Sequence, residues 1–175
     1  MNQGCAHVRR GITQTEDEGV VDIKACLTGQ AAQWLLERPG RERSLSEWAG
    51  VLENAGREIE ARAAVATRQQ MSATALRHVT GIEAWGQSRL RVFLGAPLHM
   101  DEYDAYAPAA DLDLPTLRAA FAATRDATVA LAEQLSQAGV SETKTVNHNT
   151  FGPLTARGWL AYLNSHANRE TWFVK

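Results

Sequence analysis

From Ser44 onward, apolar positions recur at intervals of three and four, the period of one face of an α-helix. The first run carries Trp48, Val51, Leu52, Ala55, Ile59, Ala63 and Ala66, and Ser44 with Glu47 three residues later forms the capping-box signature at its start. A second run begins near Ser72 and sets Ala75, Val79, Ile82, Trp85 or Gly86, Leu90 and Phe93 on one stripe, ending at Gly95-Ala96-Pro97. A third begins around Pro115, a favoured first helical residue, and shows Leu117, Phe121, Thr124, Thr128, Leu131 and Leu135 before Ala138-Gly139 closes it. The fourth starts at Leu154 or Thr155 and carries Trp159, Leu160, Leu163, Ala167 and Phe173. Alternating β-branched runs bounded by turns are absent, and Ala, Leu, Glu, Gln and Arg dominate the periodic stretches, so strands are not expected.

Four helices that are apolar on one stripe can bury those stripes only against one another. The pattern therefore predicts an all-α four-helix bundle over residues 44–175. The connections 96–114 and 141–153 are long and polar, which argues against a tight up-and-down series. Residues 1–43 differ and read as an N-terminal arm. Within it an acidic run, Thr13 to Gly19, precedes a short predicted helix, Val20 to Glu37, through Ile23, Leu27, Ala31, Trp34 and Leu35, stopped by Pro39-Gly40. The arm is expected to pack on the bundle or on a partner, and its apolar residues are compatible with a homodimer.

Composition narrows the class. At 175 residues the chain suits one domain rather than two. Its 18 Lys and Arg against 20 Asp and Glu leave a net charge of -2, with both signs interleaved. A nucleic-acid partner, which needs a gathered basic excess, is not expected. Nor is a membrane partner, since no apolar run approaches the roughly 18 residues of a spanning helix. The polar start, with Arg9-Arg10, is not a secretory signal, and a cytoplasmic location is the default. Cys5 and Cys26 have no metal-ligand spacing and read as free thiols.

In a bundle the informative residues are those that interrupt an apolar seam. Trp159, Leu163, His166, Glu170 and Phe173 follow one another at four, three, four and three residues, so His166 and Glu170 sit one turn apart in an apolar row. A buried carboxylate is costly unless paired, neutralised or bound to a cation. His78 lies beside Ala75, Val79, Ile82 and Trp85 on the second stripe. Two imidazoles and one carboxylate from two facing helices suit Zn²⁺ with one open position, or Fe²⁺, Ni²⁺ or Mn²⁺ with more. The bland alternative is a His166–Glu170 hydrogen bond or a Glu170 salt bridge, with His78 a satisfied core histidine. Chance alone yields about half of one i, i+4 His-to-acid pair in a chain of this composition.

The approach to the last helix adds information. The stretch His148-Asn-Thr-Phe-Gly-Pro-Leu-Thr-Ala-Arg-Gly-Trp-Leu through His166-Ala-Asn-Arg169-Glu170 resembles the C-terminal signature of the DinB-like superfamily. In that signature a Phe-Gly-x-Leu-Thr turn leads into a helix with Trp-Leu and then His-x-x-Arg-His. Ala75-Leu-Arg-His78-Val-Thr-Gly-Ile-Glu83-Ala-Trp85-Gly is similar to the family's other signature, and Arg89-Leu90-Arg91 with Asp101 to Tyr106 resembles the connection that follows. The resemblance covers roughly residues 44–174. It implies a four-helix bundle with a divalent metal held by three histidines at one end, in a family that includes bacillithiol- or mycothiol-dependent S-transferases and a mycothiol-dependent maleylpyruvate isomerase.

Carried over by position, the metal ligands fall on His78, His166 and Glu170, the last a departure from the family's histidine. The implied activity is metal-dependent transfer or rearrangement of a small-molecule substrate through a low-molecular-weight thiol. Zn, Ni, Mn or Fe would be the ion, and Glu170 would make it a poorer Lewis acid. Arg169 would hold a carboxylate of substrate or thiol, or else form a surface salt bridge. Trp85 would wall the pocket, or else belong to the core. Glu83 would support the site from behind, or else be a solvated helix acid. His148 would shape the turn before the last helix, and His99 would at most mark an adventitious surface site. Two other functions stand beside this one: a non-catalytic small-molecule or partner-binding bundle with a degenerate metal site, and a metal-dependent hydrolase, lyase or cyclase that uses no thiol.

Overall fold

The computed structural model describes residues 33–174. It opens with a π-helical turn, Gln33–Glu37, that runs into a four-residue helix, α1 (Arg38–Arg41). Pro39-Gly40, expected to stop a helix, lies inside this turn; a proline in the first helical turn loses no hydrogen bond, because its N–H would have had no partner there. The rest of the expected arm helix, with Cys5, His7 and Cys26, lies outside the described residues.

The four long helices form where the periodicity places them. In α2 (Leu45–Ala64) the Ser44 Oγ accepts the Glu47 backbone N–H at 3.2 Å while the Ser44 N–H donates to Glu47 Oε2 at 2.8 Å, the reciprocal cap that the sequence signals. Helix α3 spans Gln69–Phe93, beginning slightly before Ser72. Asp113 caps α4 (Leu114–Gln137), with Pro115 in its first turn and Gly139 at φ +60° just beyond its end. Thr155 caps α5 (Ala156–Glu170) through the Gly158 N–H at 3.0 Å. Because α5 ends at Glu170, Phe173 lies past its stripe and is 43% exposed.

Each of α2 and α3 packs against both α4 and α5. The sequence-adjacent pairs α2–α3 and α4–α5 therefore stand diagonally across the bundle, whereas α3 and α4, joined by the long connection 94–113, are neighbours.

The expectation of no strands needs correction. Thr145–His148 (β1) and Gly152–Thr155 (β2) pair antiparallel, with Val146 opposite Leu154 and His148 opposite Gly152. Four-residue strands are too short to display the period-two alternation that marks a strand in sequence. What holds the hairpin is burial of Val146 and Leu154, together with the Trp159 indole N–H, which donates to the Val146 carbonyl at 3.0 Å. The chain bends at Gly152, at φ +73°.

Two apolar clusters fill the bundle. One gathers Trp48, Leu52, Trp85, Trp159 and Leu160, the other Ile59, Leu76, Leu117 and Phe121. Glu83 is not a solvated acid. It is buried and ion-paired with the equally buried Arg125 of α4 at 2.8 Å. Burial pushes its carboxyl above the usual carboxylate range, and the guanidinium opposes that. A side chain at Gly56 of α2 would run into the Arg125 stem, so the glycine makes room for the cation.

Candidate functional site

A cavity of about 400 Å³ opens between α3, α5, the hairpin turn and the N-terminal turn. Helix α3 supplies His78, Ile82 and Trp85, one helical face by their spacing of four and three. Tyr162, Ser165, His166 and Arg169 come from α5 by the same rule. The hairpin turn adds His148, Asn149, Thr150 and Phe151, the connection after α3 adds Glu102 and Tyr103, and the N-terminal turn adds Leu35 and Leu36. His78 and Tyr103, in edge-to-face contact at 5.4 Å, also border a second, more polar cavity of about 680 Å³.

His78 and His166 meet. Their ring centroids are 5.1 Å apart with the planes inclined at 51°. Burial lowers the His166 pKa to about 4, helped by the neighbouring His78 and opposed by Glu170. The ring is therefore neutral at pH 7, and its buried Nδ1 finds no hydrogen-bond partner among the described residues. Tyr162 packs on it at 5.6 Å, and burial raises that hydroxyl to about 12, so it stays protonated.

His148 does shape the turn. Its Nδ1 accepts the backbone N–H groups of Thr150 at 3.0 Å and Phe151 at 3.2 Å, which assigns the proton of the neutral ring to Nε2. It also does more than the sequence suggested. The ring sits 6% exposed among Trp85, Phe151, Trp159 and Tyr162, with centroids at 5.1, 4.7, 5.1 and 4.6 Å. Burial lowers its pKa to about 4, with Arg89 and His166 pulling the same way. Tyr103, Phe151 and Tyr162 were likewise not singled out from sequence: Tyr103 and Phe151 reach the cavity because the connection and the hairpin turn fold toward it, and Tyr162 because it shares the cavity face of α5 with His166.

Trp85 lines the cavity and is also core, 3% exposed, with its indole N–H on the Asp101 carbonyl at 3.1 Å. Behind it Arg89, 1% exposed, donates to the Asp101 carbonyl at 3.0 Å and to Asn149 Oδ1 at 3.3 Å. It also pairs with Asp101 Oδ1 at 3.2 Å. One buried guanidinium thus ties the connection and the hairpin turn to α3.

Glu170 is engaged elsewhere. Its Oε1 accepts from Arg169 Nε at 3.1 Å and Nη2 at 3.0 Å, and it does not line the cavity. Among the described residues no three of His, Cys, Asp and Glu gather in a way that could hold a metal ion. As arranged, the imidazole pair and Glu170 do not fit a three-ligand metal centre. Arg169 stands at the mouth, largely exposed, with its guanidinium occupied by that same carboxylate.

Among the described residues no helix is long and apolar enough to cross a membrane. Neither curated proteins nor solved structures yield a match to the chain. A family model, that of the DinB superfamily, matches residues 30–171 and so takes in the N-terminal turn and α1 as well as the bundle. With most of its length inside that match, and four helices enclosing a histidine-bearing cavity between α3 and α5, the chain belongs to the DinB superfamily.

Proposed function

We propose that this chain binds a small organic molecule in the cavity between α3, α5 and the hairpin turn. The observation that carries the reading is the lining: five separate segments converge on about 400 Å³ walled by Trp85, Tyr103, Phe151 and Tyr162, with two imidazoles whose pKa values near 4 keep them uncharged. Concave, mostly apolar sites with a few placed polar groups are what drug-sized ligands occupy. Neutral imidazoles offer hydrogen bonds without the desolvation cost of a buried charge. The favoured occupant is flat and uncharged in its buried part, with its polar end toward Asn149, Ser165 and Arg169 at the rim.

A second reading is favoured by the approach of His78 to His166. In it the chain is a metal-dependent enzyme that transfers or rearranges a substrate through a low-molecular-weight thiol, with His78, His166 and Glu170 holding Zn, Ni, Mn or Fe. Such an ion, when bound, supplies Lewis acidity and favours the ionised form of a thiol or water. This reading requires Glu170 to exchange Arg169 for the ion. The same requirement applies to a hydrolase, lyase or cyclase that uses the metal without a thiol.

Two measurements test the pair of readings. The first is metal content of protein purified without added metal, for wild type, His78→Ala and Glu170→Ala. Near-stoichiometric metal that falls in both variants favours a metal-dependent enzyme, whereas metal-free protein with a melting temperature indifferent to Zn²⁺, Ni²⁺ and Mn²⁺ removes that reading. The second is titration with 8-anilinonaphthalene-1-sulfonate, a flat aromatic probe, against wild type and Ser165→Trp. Ser165 is an exposed cavity residue, so the indole obstructs the cavity without disturbing the core. Binding at least 10-fold weaker in that variant supports an organic-ligand site, and equal binding in both proteins removes it.

A further inference from the structure

One buried charge plays no part in the site just described. Glu37, on the N-terminal turn, is 2% exposed. Its Oε1 accepts the Thr155 backbone N–H at 2.7 Å, and both carboxylate oxygens receive the Thr155 hydroxyl, at 3.1 and 3.0 Å. Arg41 stands 3.8 Å away. The carboxylate thus lies at the positive end of α5, where a negative charge is stabilised. Yet α5 does not need it, because the Thr155 Oγ1 already caps the Gly158 N–H. What the carboxylate holds is its own segment.

That segment forms one wall of the cavity. Leu35 and Leu36 lie immediately before Glu37, Leu36 buried in the core and Leu35 69% exposed while lining the cavity. The attachment is local. Besides Glu37, Leu36 enters the core cluster, the Trp48 indole N–H donates to the Gly40 carbonyl at 3.0 Å, and Gly40 approaches the backbone of Arg157 and Gly158. The stretch carrying the two leucines is π-helical, a form that is less favourable than the α-helix and recurs at functional sites. Gly158 completes the fit: a Cβ there would collide with Glu37 Oε1.

We infer that Gln33–Arg41 is the adjustable wall of the cavity, latched by Glu37 on the first turn of α5, and that Leu35 limits the size of the occupant. The inference rests on the cavity being an organic-ligand site. It predicts that loosening the latch changes ligand exchange while the bundle stays intact.

The experiment uses the full chain and two independent ways of releasing the latch, Glu37→Gln and Gly158→Ala, with hydrogen exchange and stopped-flow binding of 8-anilinonaphthalene-1-sulfonate as readouts. The expected result is exchange at least 10-fold faster across residues 33–41 in both variants, with protection of α2, α3 and α4 retained. Probe association and dissociation should each speed up several-fold, and Leu35→Trp should weaken probe binding at least 5-fold. Unchanged exchange across 33–41 would overturn the latch. Faster exchange with unaltered probe kinetics would overturn the wall, leaving a static brace. If Ser165→Trp does not affect wild-type probe binding, it is the organic-ligand reading that fails, and the exchange result still decides whether Glu37 is a latch.

Discussion

His78 of α3 and His166 of α5 stand with their ring centroids 5.1 Å apart, although neither hydrogen-bonds to the other. The contact has an electrostatic consequence. Burial strips water from His166, the neighbouring His78 acts in the same direction, and together they hold its pKa at about 4. Replacing His78 with alanine removes the neighbour and admits water to the ring. The His166 midpoint, followed by the NMR shift of its Cε1 proton, should rise from about 4 toward the ordinary 6.5. A midpoint that stays near 4 would assign the effect to burial by the rest of the cavity rather than to His78.

Stability should depend on the two low-pKa rings, His148 and His166. A histidine whose pKa is lower in the folded than in the unfolded chain binds fewer protons when folded between the two values. Its contribution is therefore intact above pH 6.5, falls as the pH drops toward 4, and falls no further below that. For His148, 6% exposed, the loss is on the order of 3 kcal/mol. Asp101 and Asp113, held below the usual carboxylate range chiefly by hydrogen bonds from Tyr106 and Thr116, titrate lower still. Glu83, pushed up by burial, acts with the opposite sign. Urea midpoints at pH 7.5 and 4.5 for wild type and His148→Asn isolate the histidine, since asparagine Oδ1 keeps the acceptor for Thr150 and Phe151. The variant should lose much less stability on acidification; an equal loss would place the effect elsewhere.

The helices and half of the cavity were legible in the sequence, because apolar periodicity and caps are local signals. Ser44 with Glu47, Pro115 and Gly139 act where the pattern puts them. His78, Trp85 and His166 reach one cavity because each stands on a periodic face of a long helix. The hairpin escaped, since its strands are held by contacts such as Trp159 to Val146 that local sequence does not encode. With it escaped the wider role of His148. Glu83 was misread because its partner, Arg125, lies on another helix, and pairing across a bundle leaves no local mark. Glu37 escaped for the same reason: its carboxylate is understood only once Thr155 is beside it.

Arg89 should matter to the cavity without entering it. Its guanidinium holds Asp101 and Asn149 and lies 4.9 Å over the Trp85 ring, fixing two rim segments at once. Arg89→Met leaves the Asp101 carboxylate without its cation. Because Asp101 keeps contact with water, the expected loss is smaller than that of breaking a fully buried pair. Denaturant unfolding should show that loss. Hydrogen exchange should speed up in residues 96–106 and 148–151 while α2 is unaffected. A uniform increase across the bundle would mean that Arg89 supports the core rather than the rim.

The Glu83–Arg125 pair tests whether the bundle is specified at a cost in stability. Both side chains are buried, and Arg125 lies along Gly56 with its guanidinium 5.4 Å over the Phe121 ring. Removing one partner strands the other charge in the interior, so Glu83→Leu and Arg125→Met should each destabilise by about 3–5 kcal/mol. Removing both leaves no charge to solvate, and methionine can retain the stem packing against Gly56. The double variant should therefore be more stable than either single one, with a coupling energy of about 2 kcal/mol or more from a double-mutant cycle. Additive losses would mean that packing, rather than the ion pair, is what the two positions contribute.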